Sequence, residues 1–159
     1  MDIGTYLSPE NESPNGWKVE IWNSANGRSP FGKWYAKLDP YDQAVVDTAI
    51  GKILVPLGPR ICETEWGKPL KEGLYEFRIR RSFSTIVNTG IAEEEERQML
   101  PSWAQKPVLL RIFCTFHGNR IVVLFQGYDK GKDPSSRRQE REIQKARKIL
   151  RAWREETLT

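Results

Sequence analysis

The chain has 159 residues, a length that suits one domain with a real hydrophobic core. Apolar residues make up 38% and charged residues 29%, and no stretch approaches the roughly 18 uninterrupted apolar residues of a transmembrane helix, which excludes one. With two cysteines, Cys62 and Cys114, no CxxC pair and one histidine, the sequence favours neither a disulfide framework nor a Cys/His zinc site. We expect both thiols to be reduced.

The net charge of +4 is unevenly distributed along the chain. Residues 107–159 contain 12 Lys/Arg and 6 Asp/Glu, whereas residues 1–106 contain 13 and 15. Positive charge concentrated at one end of a molecule attracts a polyanion such as RNA or DNA. A solvated helix face explains the same asymmetry equally well.

The first elements are a tail and a strand. Residues 1–16 are rich in Asn, Pro, Ser, Glu and Gly, which predicts a flexible tail. The tail lacks the basic leader and apolar segment of an export signal, so we expect a cytoplasmic protein. Apolar and polar residues then alternate over 17–22, which predicts the first strand.

Two helices should follow in succession. Ser29-Pro30 and Asp39-Pro40 each place a capping side chain before a proline at the first helical position. The first helix should run to about Leu38. Apolar residues at helical spacing continue the second helix until Pro56 and Gly58, and the pair forms a helical hairpin.

The middle of the chain predicts a loop over 56–72 and a second strand over 74–80, with Glu76, Arg78 and Arg80 on one face. Residues 82–106 include the run Glu93-Glu94-Glu95-Glu96 and no clear strand pattern, so we interpret them as an insertion.

Two further strands, over 108–116 and 120–128, are separated by His117-Gly118-Asn119, which indicates a hairpin. Asp133-Pro134 should cap a final helix. The predicted fold is therefore α+β: a small, antiparallel-containing sheet of about four strands, an N-terminal helical hairpin and a C-terminal helix, forming one domain over residues 17–159.

The sequence contains no Walker A loop, GxGxxG, HExxH or GxSxG motif, which argues against a nucleotide- or metal-dependent enzyme. It does place cations on strands that should be neighbours: Arg78, Arg80, Arg111, Lys130 and Lys132. Converging cations suit metal-independent RNA cleavage, because the transition state gathers negative charge on phosphate oxygens. Lysine among other cations can also transfer a proton.

For two residues close to these cations, Tyr128 and Glu76, the sequence allows more than one role. Tyr128 could stack on a base or pass a proton. Glu76 could act as a base, although a structural ion pair with the arginines is the favoured interpretation.

Four blocks of sequence carry a resemblance to a known family. They are GLYEFR at 73–78, Arg111 on the next strand, the turn GYDKGK at 127–132, and Pro134 with Glu142, Ile143 and Ala146 on the last helix. In this order they resemble the RelE/HigB family of type II toxins, over about three quarters of the chain.

The resemblance implies a RelE-like fold and a ribosome-dependent, metal-independent mRNA endoribonuclease that inhibits translation and needs no cofactor. It implies a cognate antitoxin, usually with a helix-turn-helix DNA-binding domain. The catalytic candidates are Arg78, Arg80, Arg111, Tyr128, Lys130 and Lys132. The candidates for RNA binding, including contacts with rRNA, are Lys68, Lys71, Arg137, Arg138 and Arg141.

Two alternatives remain at this point. A toxin of the same fold could act by binding a protein, as the ParE branch does with DNA gyrase, or the chain could be a passive RNA-binding module. Many HigB-like members use histidines near the active site, but His117 stands at the predicted hairpin tip and is interpreted as a turn residue. Trp17, Trp22 and Trp34 are expected in the core, whereas Trp66, in a polar loop, could contact RNA.

Overall fold

The fold is α+β, with one mixed sheet of five strands in the spatial order β1-β5-β4-β3-β2. A computed structural model describes residues 16–158, so the tail expected over residues 1–16 lies, apart from Gly16, outside the described residues. The strands are β1 (Lys18–Ile21), β2 (Gly67–Pro69), β3 (Tyr75–Ile79), β4 (Leu110–His117) and β5 (Ile121–Asp129). The class and four of the strands agree with the sequence prediction.

The sheet differs from the prediction in two respects. The short strand β2 lies inside the segment predicted as a loop and pairs antiparallel with β3, so the sheet has five strands rather than about four. Only three residues form β2, too few to show an alternating pattern. At the other edge, β1 runs parallel to β5, an arrangement that depends on the path of the intervening chain rather than on local sequence.

Both predicted helix caps in the first half of the chain are confirmed. Helix α1 (Pro30–Ala36) begins where the Ser29 hydroxyl accepts a hydrogen bond from the Gly32 amide, at 3.0 Å. Helix α2 (Pro40–Ala49) begins where the Asp39 carboxylate accepts from the Asp42 amide, at 2.8 Å. The helical path continues through a π-helical segment (Ile50–Leu54) and α3 (Val55–Leu57) into a 3₁₀ helix (Gly58–Glu63).

The insertion at 82–106 is not simply a decoration of the surface. Its short helix α4 (Phe83–Val87) places Ile86 in the hydrophobic core, and Phe83 stacks on Trp103 with ring centroids 5.9 Å apart. Two 3₁₀ turns follow, Glu94–Glu96 and Ser102–Gln105, and the four glutamates are exposed. The segment therefore contributes to the core at both ends and leaves its acidic centre on the surface.

The sheet is covered on both faces. Phe77, Ile112 and Leu124 belong to the larger hydrophobic cluster, which also contains residues of α1, α2 and the π-helical segment. Phe113, Val123 and Phe125 belong to a smaller cluster with Ala146 and Leu150 of the last helix. Successive strand residues point to opposite faces, so the two central strands β4 and β5 supply both clusters.

The last helix, α5 (Ser136–Leu158), starts two residues later than the Asp-Pro signal suggested. The hydroxyl of Ser135 accepts a hydrogen bond from the Arg138 amide at 3.1 Å, and Asp133 instead accepts from the Ser135 amide at 3.2 Å. Asp133 thus shapes the turn before the helix, and Ser135 is the capping side chain. Between residues 16 and 158, no helix has both the length and the apolar character needed to cross a membrane.

Candidate nucleic-acid site

Three of the predicted site residues form one row across neighbouring strands. Arg78 on β3 is paired with Arg111 on β4, and Arg111 is paired with Tyr128 on β5. Directly opposite residues on antiparallel strands point to the same face, so these side chains lie together on the face that α5 covers. The end of β3, the beginning of β4 and the end of β5 meet here, which is why residues far apart in sequence converge.

A bulge in β5 makes this row. Gln126 pairs with Phe113 and Leu124 pairs with Cys114, so Phe125 is left without a partner. One extra residue reverses the alternation along the rest of the strand. Without the bulge, Tyr128 would point to the opposite face. Gly127 then lies under α1, where an added Cβ atom would be 2.5 Å from the ring of Trp34.

A buried carboxylate holds the two arginines. Glu76 is fully buried, and its Oε1 lies 2.7 Å from Arg78 Nε and 3.6 Å from Arg111 Nε. Arg111 is only 2% exposed, and burial lowers its pKa while the charge of Glu76 opposes that shift. The ion-pair role for Glu76, favoured from the sequence, therefore describes its geometry. The two arginines exceed the carboxylate by one positive charge.

Two lysines complete the group. Lys68 on β2 is paired with Glu76, and Lys130 follows the end of β5, where its amide donates to the Leu109 carbonyl at 2.8 Å. Desolvation lowers the pKa of Lys130, and the charges of Arg111, Arg78 and Lys68 lower it further. We call Lys68, Arg78, Arg111 and Lys130, gathered around Glu76, the cation cluster. Lys68 is exposed and Lys130 half-buried, so an anion can approach them.

Tyr128 is placed differently from its predicted role. Its side chain is 1% exposed, with the ring stacked on Phe113 at 5.9 Å and the guanidinium carbon of Arg138 5.6 Å from the ring centroid. Neither ring face is available to stack on a base. Burial, followed by the charge of Glu76, raises the pKa of Tyr128, so the hydroxyl stays protonated. Within residues 16–158 that hydroxyl has no hydrogen-bond partner.

Arg138 does not belong to the exposed basic face of α5. It forms an ion pair with Glu142 at 2.9 Å, and Glu142 also accepts from the Gln126 side chain at 2.8 Å. The burial of Gln126 and Glu142 was not predicted from the sequence, where Glu142 was named only as part of the motif on the last helix, because a polar residue in a regular strand or helix pattern gives no sign of burial. These contacts fix the first turns of α5 over the buried part of the cation cluster.

The remaining predicted site residues lie outside the cation cluster, some beside it and some at other parts of the surface. Arg80 and Lys132 are exposed and line a groove beside the cation cluster. Arg137 and Arg141 are exposed on α5 and line a shallow groove with Lys145 and Lys148. Lys71 lies in the β2–β3 turn, at the opposite end of β3 from Arg78, so it is not adjacent to the cluster.

Two aromatic residues considered in the sequence analysis, Trp66 and His117, pack against other side chains of the fold. Trp66 is 9% exposed and belongs to the larger core cluster, so the suggestion that it contacts RNA from a polar loop is wrong. His117 ends β4 at the far end from the cation cluster and contacts the Trp153 ring edge-on, with centroids 4.7 Å apart.

Among the described residues, no three His, Cys, Asp or Glu side chains are grouped so that they could hold a metal ion. No family model matches the chain, and no curated protein matches it.

Proposed function

We propose that this chain is the toxin of a type II toxin–antitoxin system, an endoribonuclease of the RelE/HigB kind that cleaves mRNA on the ribosome. The observation that carries the proposal is the cation cluster: four positive side chains from three strands and a strand end surround one buried carboxylate. The excess positive charge favours a phosphate group at its open side.

The cleavage chemistry needs charge stabilisation and proton transfer. The RNA 2′-hydroxyl attacks the adjacent phosphorus, the bond to the 5′-oxygen breaks, and a 2′,3′-cyclic phosphate and a 5′-hydroxyl result. The 2′-oxygen gives up one proton and the 5′-oxygen takes one. Arg78, whose side chain is 21% exposed, is suited to bind the phosphate oxygens, and Glu76 holds its guanidinium in place. Lys130, with its lowered pKa, is suited to move a proton.

The burial of two predicted catalytic residues, Arg111 and Tyr128, changes the roles that we assign to them. Arg111 is buried, so we assign it to the positive potential of the cluster and to lowering the pKa of Lys130, rather than to direct contact with phosphate. Tyr128 becomes part of the packing beneath Arg138. Arg137, Arg141, Lys145 and Lys148 recur along the exposed side of α5, which suits contact with the backbone of rRNA.

The test is induced expression in bacteria, with mapping of mRNA 5′ ends, for the wild type and Arg78→Ala. Arg60→Ala is a matched control, because Arg60 is exposed and pairs with Glu63 three residues later on the surface. We expect growth arrest and new mRNA ends in the wild type and the control, and a loss of both by about 100-fold or more in Arg78→Ala. Growth arrest with intact mRNA would contradict the proposal. Relief of arrest by the neighbouring reading frame would support an antitoxin partner.

One observation favours a second candidate function. Arg111 and Tyr128 are buried, and the single histidine of the chain lies at the other end of β4. A toxin that binds a protein, like the ParE branch with DNA gyrase, needs no exposed catalytic groups. That function predicts broken DNA and intact mRNA in the same experiment, so the two candidates give opposite results.

A further inference from the structure

A second concave surface lies beside the cation cluster. The groove has a volume of about 550 Å³, which falls in the range of small-ligand sites, and Asp42 is one of the three carboxylates that line it. One wall is the start of α2 with Asp39 and Asp42. Another part of the lining is the end of β5 and the turn after it, with Asp129 and Lys132. We call this surface the Asp42 groove.

Asp42 differs from the other two carboxylates of the groove. Asp39 accepts from the Asp42 amide and Asp129 accepts from the Gly131 amide, both at 2.8 Å. The Asp42 carboxylate has no hydrogen-bond or ion-pair partner within residues 16–158. Burial, then the charges of Asp39 and Asp129, raise its pKa, and the charges of Lys106 and Lys132 oppose that shift. The carboxylate is only half-buried, so water can reach it, and a ligand that supplies donors would take the place of that water.

The floor of the groove is apolar. Pro107, Val108 and Leu109 line it, and Leu109 is 41% exposed, one of the three large apolar side chains that remain on the described surface. Cations stand at the rim: Arg80, Lys106 and Lys132. Apolar lining residues, a carboxylate acceptor and cations match the three parts of a nucleotide, namely the base face, the base edge and the phosphate.

The groove and the cation cluster share a wall. The Leu109 carbonyl accepts from the Lys130 amide at 2.8 Å, so the groove floor, just before β4, is bonded to the cluster lysine, just after β5. Arg80 lines the groove and is also close enough to lower the pKa of Arg111. A strand of RNA with a phosphate at the cluster would therefore have its neighbouring nucleotide at the groove.

We propose that the Asp42 groove binds a guanine base of the RNA strand, with the Asp42 carboxylate accepting hydrogen bonds from guanine N1–H and N2–H. A carboxylate only accepts, and guanine is the base whose Watson–Crick edge offers two adjacent donors. Adenine and cytosine offer one donor beside an acceptor, and uracil offers one donor between acceptors. The inference rests on the proposed function for its role, because it makes the groove the base-specificity site of the nuclease.

Direct binding tests the groove without any cleavage. Guanosine and adenosine 5′-monophosphates are titrated by NMR or calorimetry into the wild type, Asp42→Asn and Asp47→Asn. Asp47 is a matched control on the same helix, outside the groove, where its carboxylate accepts from the Tyr35 hydroxyl. We expect the wild type and Asp47→Asn to bind guanosine monophosphate about tenfold more tightly than adenosine monophosphate. Asp42→Asn should bind the two nucleotides with similar affinity. Equal affinities in the wild type, no binding of either nucleotide, or a preference that survives in Asp42→Asn would overturn the inference.

Mapping of mRNA ends separates this inference from the proposed function. If the enzyme is a nuclease and the groove reads guanine, the wild type cuts beside guanine, and Asp42→Asn cuts with this preference lost. Cleavage that depends on Arg78 but keeps the same sequence preference in Asp42→Asn would overturn the inference and leave the function standing. No cleavage, together with Asp42-dependent guanosine binding, would overturn the nuclease and leave the guanine site standing.

Discussion

Arg78 and Arg111 lie directly opposite each other on β3 and β4, and one oxygen of Glu76 faces both guanidinium groups. Like charges directly opposite on a sheet normally destabilise it. Here the carboxylate two residues before Arg78 neutralises part of that repulsion, and it does so from a fully buried position. The stability of this end of the sheet therefore depends on Glu76.

We expect Glu76→Gln to lower the free energy of unfolding by about 3 kcal/mol, because it leaves two guanidinium groups, one of them buried, without a counter-charge. Urea unfolding measures the change. Glu65→Gln is the control: its carboxylate binds Arg81 through two 2.7 Å hydrogen bonds at an exposed position, and such pairs contribute less than about 1 kcal/mol. Equal effects of the two substitutions would mean that burial adds nothing to the Glu76 pair.

Lys130 should titrate below 10.5, the ordinary value for a lysine, because desolvation and neighbouring cations disfavour its charged form. Carbon-13 NMR of the lysine side chains measures the midpoint. Arg78→Ala removes one repelling charge, so the pKa of Lys130 should rise. Glu76→Gln removes an attracting charge, so its pKa should fall further. A midpoint that does not respond in opposite directions would show that Lys130 is not coupled to the cluster.

Gly127→Ala should destabilise the protein by about 1–3 kcal/mol, because its Cβ atom would be 2.5 Å from the Trp34 ring, which α1 holds against β5. Thermal or urea unfolding gives the value. The double variant Gly127→Ala/Trp34→Leu tests the cause, since a smaller side chain on α1 makes room for the methyl group. We expect the double variant to lose less than the sum of the two single variants; additive losses would contradict the contact.

Arg147→Ala should loosen the β2–β3 turn. The Arg147 guanidinium donates to the carbonyls of Leu70, at 2.5 Å, and Lys71, at 3.4 Å, in a turn where Lys71 and Glu72 have positive φ angles of 75° and 57°. Non-glycine residues adopt this conformation only when their surroundings hold it. Hydrogen exchange of the Leu74 amide, which donates to Lys71, should become faster by about tenfold.

Lys148→Ala is the matched control for the turn, because Lys148 is the next residue on α5 and points to solvent. It should leave the exchange rate of the Leu74 amide unchanged. Equal rates in Arg147→Ala and the wild type would mean that the turn keeps its conformation without the Arg147 contact.

Local chemistry determined much of the secondary structure from the sequence. Ser29-Pro30 and Asp39-Pro40 start helices because a side-chain acceptor and a proline both suit the first turn, whatever the rest of the chain does. Alternation placed β3, β4 and β5 within one or two residues. Short sequence patterns were less reliable. Asp133-Pro134 predicted the start of the last helix, but the capping side chain is Ser135. The three residues of β2 were too few to predict a strand.

The sequence by itself determined that this is an α+β chain with cations on strands that would be neighbours. Only the tertiary structure decided which of those cations meet. The bulge at Phe125 turns Tyr128 toward Arg111, the packing of α5 buries Tyr128 beneath Arg138, and the sheet order brings Lys68 to Glu76. The burial of a polar side chain and the face it occupies depend on contacts between residues distant in the chain. The local sequence pattern does not predict those contacts.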